Sequence, residues 1–236
     1  MDKFLSRFRA LTGTRLDYRP TDRNFIKVYK DCIITEISVM RQPVDKNVKT
    51  ALNFLTLGKF DDLVKKDYDD VYHLFLEITL EAPPNSFAQG LVNKTGKPLK
   101  ITLEKNQTIE INYYKPRNGT TSMPLIIPPN ITFGTLLGNA QKSVSVEEYF
   151  RYDPLTNNCQ NYIITVLKAN GILALNPKAQ DFVYQDLGTL KAELPTYAQT
   201  IMKRLTDIAG RADIALHGYG LTQGRKGVER RGNLAW

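Results

Sequence analysis

Three short segments in the middle of the chain alternate apolar and polar residues and are rich in β-branched and aromatic side chains. They read VYHLFLEITLE, PLKITLEKN and TIEINYY and lie within residues 71–114. Alternation with a period of two puts the apolar side chains of a strand on one face of a sheet. An upstream segment, IKVYKDCIITEISVMRQPV, predicts another strand over residues 26–44. The chain must therefore cover the apolar face of a sheet with other elements.

Segments with a helical spacing of apolar residues lie on both sides of the predicted strands. They cover residues 1–13, 45–58, 132–143, 157–170 and 181–216. Two long stretches, residues 81–98 and 115–131, are predicted to be irregular, the first because of its Pro-Pro and Thr-Gly turn signals. This order predicts an α+β fold in which an antiparallel sheet packs against helices.

Four regions follow from this pattern. We expect a basic N-terminal arm with a short amphipathic helix over residues 1–30 and an α+β core over residues 31–175. A helical extension over residues 176–216 and a basic, glycine-rich tail over residues 217–236 complete the predicted organisation.

The formal net charge of +8 is concentrated at the two ends of the chain. Residues 1–30 contain eight Lys or Arg against three Asp or Glu, and residues 203–236 contain seven against three. Such arms suit anionic partners such as nucleic acid, a membrane surface or an acidic protein face, but basic ends also keep a protein soluble. Tyr113 and Tyr114, which lie among basic residues, could stack on single-stranded nucleic acid, and an edge strand explains them equally well.

Cysteine usage and the absence of several motifs narrow the chemistry. Cys32 and Cys159 form no disulfide framework, and two cysteines with two histidines make a poor zinc site. The chain has no phosphate-binding glycine loop, HExxH motif or serine nucleophile elbow, so we expect no cofactor and no metal. The first residues lack the apolar core of a signal peptide, and no run of about 18 apolar residues occurs. We therefore expect a reducing intracellular compartment and no transmembrane span.

The segment TNNCQNYIITVLKANG, residues 156–171, places a cysteine at the start of a predicted helix. With Thr156 as the N-cap, Cys159 is the third helical residue, where unpaired amides and the helix dipole favour a thiolate. Cys159 shares a helix face with Tyr162 and Val166, so its sulfur faces whatever the helix packs on. The alternative is a small apolar residue that fills a buried helix end.

A nucleophilic cysteine needs a base, and the chain has two histidines. His217 lies in the glycine-rich tail, whereas His73 opens the central strand segment YHLFLEITLE. His73 lies in the motif YHL, and Cys159 follows 86 residues later in the motif NCQNYI. This order and spacing of the two motifs resembles the lecithin:retinol acyltransferase-like family. YFRYDPLT also resembles the segment that leads into that family's cysteine, and the resemblance covers roughly residues 58–171.

Members of this family are circularly permuted relatives of papain-like, NlpC-type thiol enzymes, and several viruses carry such domains. The resemblance implies a permuted papain-like core with Cys159 as nucleophile and His73 as general base. It implies a hydrolase or acyltransferase that acts through a thioester on lipid esters, in the manner of a phospholipase A. A peptidase or amidase activity also fits the fold, and a viral member would be found in the host cytoplasm or the virion.

The third catalytic group departs from the family pattern, in which it is often a second histidine on the next strand. Glu104 is predicted to replace it, because alternation puts His73 and Glu104 off the leucine-rich faces of their strands. Glu77 shares the face of His73 but lies on the same strand, which is an awkward geometry for orienting the ring, so it ranks second. The same alternation turns His73 away from a helix on the leucine-rich face unless the strand end twists or bulges.

The amide of Cys159 is the predicted oxyanion donor, and Tyr72 is either a second donor or an ordinary strand aromatic. Asn158 is predicted to support the site by capping the helix. Two functions remain: a cysteine-dependent acyl enzyme, or a catalytically silent protein on the same scaffold that binds nucleic acid or a capsid through its basic termini. The reactivity of Cys159 separates them.

Overall fold

The computed structural model describes residues 16–43, 72–83, 88–89, 98–153 and 156–184. The strands are β1 (Ile33–Pro43), β2 (Tyr72–Glu81), β3 (Leu99–Lys105), β4 (Ile109–Tyr113) and β5 (Thr121–Leu125). The helices are α1 (Pro20–Tyr29), α2 (Phe133–Ser143), α3 (Val146–Phe150), α4 (Cys159–Ala169), α5 (Ile172–Leu175) and α6 (Lys178–Val183).

The five strands form one antiparallel sheet in the order β4-β3-β2-β1-β5. Helices accompany this sheet, so the predicted α+β class with an antiparallel sheet is confirmed. β2 occupies the centre, where it pairs with β1 on one side and β3 on the other. The segments predicted from alternation at residues 71–81, 98–106 and 108–114 coincide with β2, β3 and β4.

Two local predictions were wrong. The strand predicted over residues 26–44 begins only at Ile33, because the preceding residues belong to α1. Pro20 opens that helix at a position where its missing N–H costs nothing, and the rings of Phe25 and Tyr29, one turn apart, lie 4.4 Å from each other. The stretch 115–131, predicted to be irregular, contains the edge strand β5, in which a proline is tolerated.

The core lies between the apolar face of the sheet and helices α2 and α4. Six apolar side chains of β2 and β3 on this face are fully buried: Leu74, Leu76, Ile78, Leu80, Ile101 and Leu103. Leu99, at the start of β3, is partly buried against them. α4 covers β2 and β3 with a buried stripe that runs from Cys159 through Tyr162, Ile163 and Val166. The thiol therefore enters the core at the first residue of the helix.

Residues from both predicted extensions also contribute to this core. Leu16, Tyr18 and Tyr29, from the predicted N-terminal arm, are buried in the same cluster, as are Ala179 and Val183 beyond residue 175. The predicted helices at 1–13 and 45–58, the segment 185–216 and the glycine-rich tail lie outside the described residues. Among the described helices, none has both the length and the apolar composition needed to cross a bilayer.

Helix α2 makes a close backbone contact at Gly134. Its N–H donates to the carbonyl oxygen of Lys30 at 2.7 Å, and a Cβ at this position would lie 2.8 Å from the same oxygen. Because the obstacle is main chain, no rotamer change can relieve the clash. Gly138 lies one turn later in α2, and a Cβ there would meet nothing within 4 Å.

We predict that Gly134→Ala lowers the free energy of unfolding by about 1–3 kcal/mol through overpacking. Gly138→Ala should raise it by about 0.5–1 kcal/mol, because alanine loses less backbone entropy in a helix. Chemical denaturation of both variants measures the difference. A stabilising effect of Gly134→Ala would show that α2 does not approach Lys30 as described.

Candidate active site

Helix α4 begins at the cysteine itself. Asn158 is the N-cap, and its side chain accepts hydrogen bonds from the amides of Gln160 at 2.9 Å and Asn161 at 3.3 Å. Asn161 completes a capping box by accepting from the Asn158 amide at 3.4 Å. The prediction of Thr156 as N-cap was wrong, because Asn158 reaches the first free amides instead. Cys159 is thus the first helical residue rather than the third.

The sulfur of Cys159 is surrounded by groups that favour a thiolate. It interacts with the side chain of His73 and with the backbone amides of Leu74 and Gln160. Burial opposes the charged form, yet these hydrogen bonds and the charge of His73 together lower the pKa of Cys159 below its ordinary value. The cap uses the amides of residues 160 and 161, the second and third residues of the helix.

His73 connects the sulfur to Glu104. Its Nε2 lies 2.7 Å from Oε2 of Glu104, which leaves Nδ1 as the ring nitrogen that can face Cys159. Burial alone would lower the pKa of His73, but the hydrogen bonds and charges of Cys159 and Glu104 raise it to about 10. The imidazole is therefore held as an imidazolium between two negatively charged groups.

The pairing between β2 and β3 ends before His73, and this explains how His73 reaches a helix on the opposite face of the sheet. The β2–β3 pairing starts at Phe75, which lies opposite Glu104, so His73 and Leu74 extend beyond it. Leu74 keeps its partner Arg41 on β1, and its amide lies at the sulfur of Cys159. His73 and Leu74 thus contact Cys159 of α4 at the end of β2 that does not pair with β3.

Arg117 holds the carboxylate of Glu104 from the other side. Its guanidinium donates to Oε1 at 2.7 Å and to Oε2 at 3.2 Å, and also to Gln42 at 3.1 Å. It lies 4.3 Å above the ring of Phe75, on the same face of the sheet as Glu104. Burial would raise the pKa of Glu104, but His73 and Arg117 outweigh it and lower the pKa to about 2. The carboxylate is therefore ionised at neutral pH.

Glu77, the competing candidate for the third group, has another partner. Lys100 of β3 donates to its Oε1 at 2.9 Å. Of the two carboxylates considered for orienting His73, the structure thus brings Glu104 to the imidazole and pairs Glu77 with a lysine.

Tyr72 is the first residue of β2 and lies opposite Pro43, with the guanidinium of Arg41 5.6 Å from the centre of its ring. A different phenol, Tyr152, lies within electrostatic range of the thiolate. Burial first, and then the charge of Cys159, raise the pKa of Tyr152 above its ordinary value. Tyr152 belongs to the segment YFRYDPLT, which resembles the segment that leads into the family's cysteine. This resemblance was the feature of the sequence that could have indicated that Tyr152 lies near Cys159.

The sequence analysis missed Arg117 and Lys105 as parts of the site. Arg117 comes from a stretch predicted to be irregular, and Lys105 was considered among the basic residues near Tyr113 and Tyr114. Lys105 is 1% exposed and lies beside the cysteine helix. Arg117 lies in a loop and carries no periodic signal. Alternation does put Lys105 on the leucine-rich face of β3, and a charged residue on that face was the available signal.

Other chemistry was also considered. Among the described residues, no group of three or more His, Cys, Asp or Glu side chains is arranged to hold a metal ion. His217 lies outside the described residues. Comparison of the chain with protein-family models, with curated proteins and with solved structures gave no match. Support for a function therefore comes from the geometry of the site and from the motif resemblance.

We predict that Glu104→Gln slows the alkylation of Cys159 by iodoacetamide at pH 6 by about tenfold or more. Removing the negative charge behind His73 lowers the pKa of the imidazolium, which in turn raises the pKa of the thiol. Peptide mass spectrometry across a pH series measures the rate. Cys32 is the internal standard in the same sample, because it is fully buried and its pKa is raised by burial and by Asp31.

Glu77→Gln is the matched control, since it removes a carboxylate from β2 that pairs with Lys100 rather than with His73. Its alkylation rate should stay within about twofold of the unaltered protein, because the carboxylate that it removes pairs with Lys100 and not with the imidazole. Equal slowing in the two variants, or an unchanged rate in Glu104→Gln, would contradict the role assigned to Glu104.

Proposed function

We propose that this chain is a cysteine-dependent acyl hydrolase or acyltransferase on a permuted papain-like core. The observation that carries the proposal is the linked arrangement of Cys159, His73 and Glu104, with the sulfur at the first residue of a helix. A thiolate, an imidazolium and an orienting carboxylate are the three groups that thiol acyl transfer requires. The chain order, with the histidine strand before the cysteine helix, agrees with the permuted family.

The chemistry starts with attack by the thiolate of Cys159 on an ester carbonyl. The new C–S bond displaces the carbonyl electron pair onto oxygen, and the amide of Cys159 is the proposed donor to that oxyanion. When the tetrahedral intermediate collapses, the C–O bond breaks and the imidazolium of His73 gives its proton to the leaving alkoxide. A thioester of Cys159 remains.

The second half of the reaction reverses these roles. Neutral His73 takes a proton from water or from an acceptor alcohol or amine, which attacks the thioester. The C–S bond breaks, and Cys159 leaves as the thiolate beside the regenerated imidazolium. Throughout both steps Glu104 keeps the imidazole in one orientation and stabilises its charged form, and Arg117 fixes Glu104.

Lipid esters are the proposed substrates, as in a phospholipase A, on the strength of the family resemblance. The excess of positive charge in residues 1–30 supports this choice, because a basic segment draws a protein to anionic membranes. A viral setting, with the enzyme in the host cytoplasm or the virion, follows from the same resemblance and is part of the proposal.

We predict that the protein forms an acyl adduct on Cys159 and hydrolyses esters with a burst of product. The substrates to use are a short-chain p-nitrophenyl ester and vesicles of phosphatidylcholine with phosphatidylserine, and intact-mass spectrometry detects the adduct. Cys159→Ala should lower turnover at least about 1,000-fold, as loss of a nucleophile does. Cys32→Ala should retain the activity, because Cys32 is fully buried and burial and the charge of Asp31 raise the pKa of its thiol.

A chain with a reactive Cys159 but no adduct from any ester would contradict the acyl-enzyme proposal. Equal turnover in Cys159→Ala and Cys32→Ala would contradict it as well. Either result would favour the alternative of a silent scaffold that binds nucleic acid or a capsid through its basic termini, which a filter-binding assay with single-stranded nucleic acid then tests.

A further inference from the structure

Lys105 is a buried cation next to Cys159 and His73, the candidate catalytic dyad. It follows Glu104 at the end of β3 and is 1% exposed. Adjacent residues of a strand face opposite sides of the sheet, so Glu104 reaches His73 on one side and Lys105 extends towards the side covered by α4. Fully buried lysines are rare unless their charge is compensated, so this position calls for a physical reason.

The ammonium of Lys105 holds the segment that leads into the cysteine helix. Its Nζ donates to the carbonyl oxygen of Glu148 and to Oδ1 of Asn157, both at 3.1 Å. Asn157 in turn donates to the carbonyl oxygens of Glu148 at 2.7 Å and Arg151 at 2.8 Å. Because Asn157 directly precedes the N-cap Asn158, these bonds set the position at which α4 begins.

The charge of Lys105 also acts on the cysteine. Burial lowers the pKa of Lys105 to about 7, while the charges of Glu148 and Cys159 oppose that shift. The ammonium lies 5.6 Å from the centre of the Tyr162 ring, on the buried face of α4 that Cys159 shares. The attraction is reciprocal, so a protonated Lys105 favours the thiolate form of Cys159.

We propose that Lys105 is a positioning residue for the nucleophile: its ammonium ties the segment ending at Asn158 to the strand end that carries Glu104, and so holds the Cys159 sulfur beside His73 as a thiolate. One dipeptide, Glu104-Lys105, then secures both members of the dyad from the two faces of the sheet. The inference rests on the proposed function, since it gives Lys105 a part in preparing the thiol for attack.

The test is the pH profile of Cys159 alkylation by iodoacetamide in Lys105→Met and Lys105→Gln. The profile should shift to higher pH by about one unit in Lys105→Met, which makes alkylation at pH 6 about tenfold slower. Lys105→Gln keeps an N–H donor but not the charge, so its profile should lie between those of Lys105→Met and the unaltered protein. A lysine that served only the fold would leave the midpoint of the profile unchanged.

Lys100→Met is the matched control, because Lys100 lies on the same strand but is exposed and paired with Glu77. Its profile should coincide with that of the unaltered protein. Near-ultraviolet circular dichroism reports whether each variant is folded, and loss of the fold in both Lys105 variants would overturn the proposal by assigning Lys105 to stability alone.

The outcomes also separate this inference from the proposed function. If Cys159 of the unaltered protein reacts no faster than Cys32, the acyl-enzyme proposal fails and the inference fails with it. If Cys159 is reactive and the Lys105→Met profile matches that of Lys100→Met, only the role of Lys105 is overturned.

Discussion

The pairing register between β2 and β3 is the constraint on which the candidate site depends. Phe75 lies opposite Glu104 in the last pair of the ladder, so Glu104 shares a face with His73 two residues further along. A slip of one residue would turn the carboxylate into the apolar core and a leucine towards the imidazole. The register is held by the buried leucines and isoleucines of both strands, which means that the hydrophobic core and the placement of the site are specified together.

Charges of alternating sign run through the site from Arg117 through Glu104 and His73 to Cys159. Burial of each of these charges is unfavourable by itself, and the opposite charge of the neighbouring group compensates for it. The pKa of Glu104 is lowered to about 2, so its contribution to stability is present above the ordinary value near 4.5 and is lost as pH falls towards 2. The pKa of His73 is raised to about 10, so its contribution is present below the ordinary value near 6.5 and is lost as pH rises towards 10. The contributions of Glu104 and His73 to stability are therefore both present in full between these two ordinary values.

Much of this arrangement could be predicted from short-range periodicity. Alternation alone placed His73 and Glu104 on the same side of two strands, and helical spacing placed Cys159 on the buried face of its helix. Alternation could not reveal that the pairing between β2 and β3 ends at Phe75 and Glu104 and leaves His73 beyond it, because strand lengths depend on partners elsewhere in the sheet. Asn158 was predicted to cap the helix, but Thr156 was taken as the N-cap residue because both are good caps, and only the path of the preceding segment decides between them. Arg117 reaches the site through tertiary contacts that leave no local pattern. Alternation puts Lys105 on the leucine-rich face of β3, but only the tertiary structure shows its partners.

The central claim is that Cys159 and His73 form a thiolate–imidazolium pair, and nitrogen NMR of the histidine side chains tests it most directly. The chain contains two histidines, so the spectrum holds the signals of two imidazole rings, and His217→Gln shows which signals belong to His73. The account predicts that His73 stays protonated through pH 8, and that in Cys159→Ala it loses its proton at lower pH because the negative sulfur is gone. A His73 that titrates near its ordinary value of 6.5, unchanged by Cys159→Ala, would contradict the ion pair and with it the acyl-enzyme mechanism.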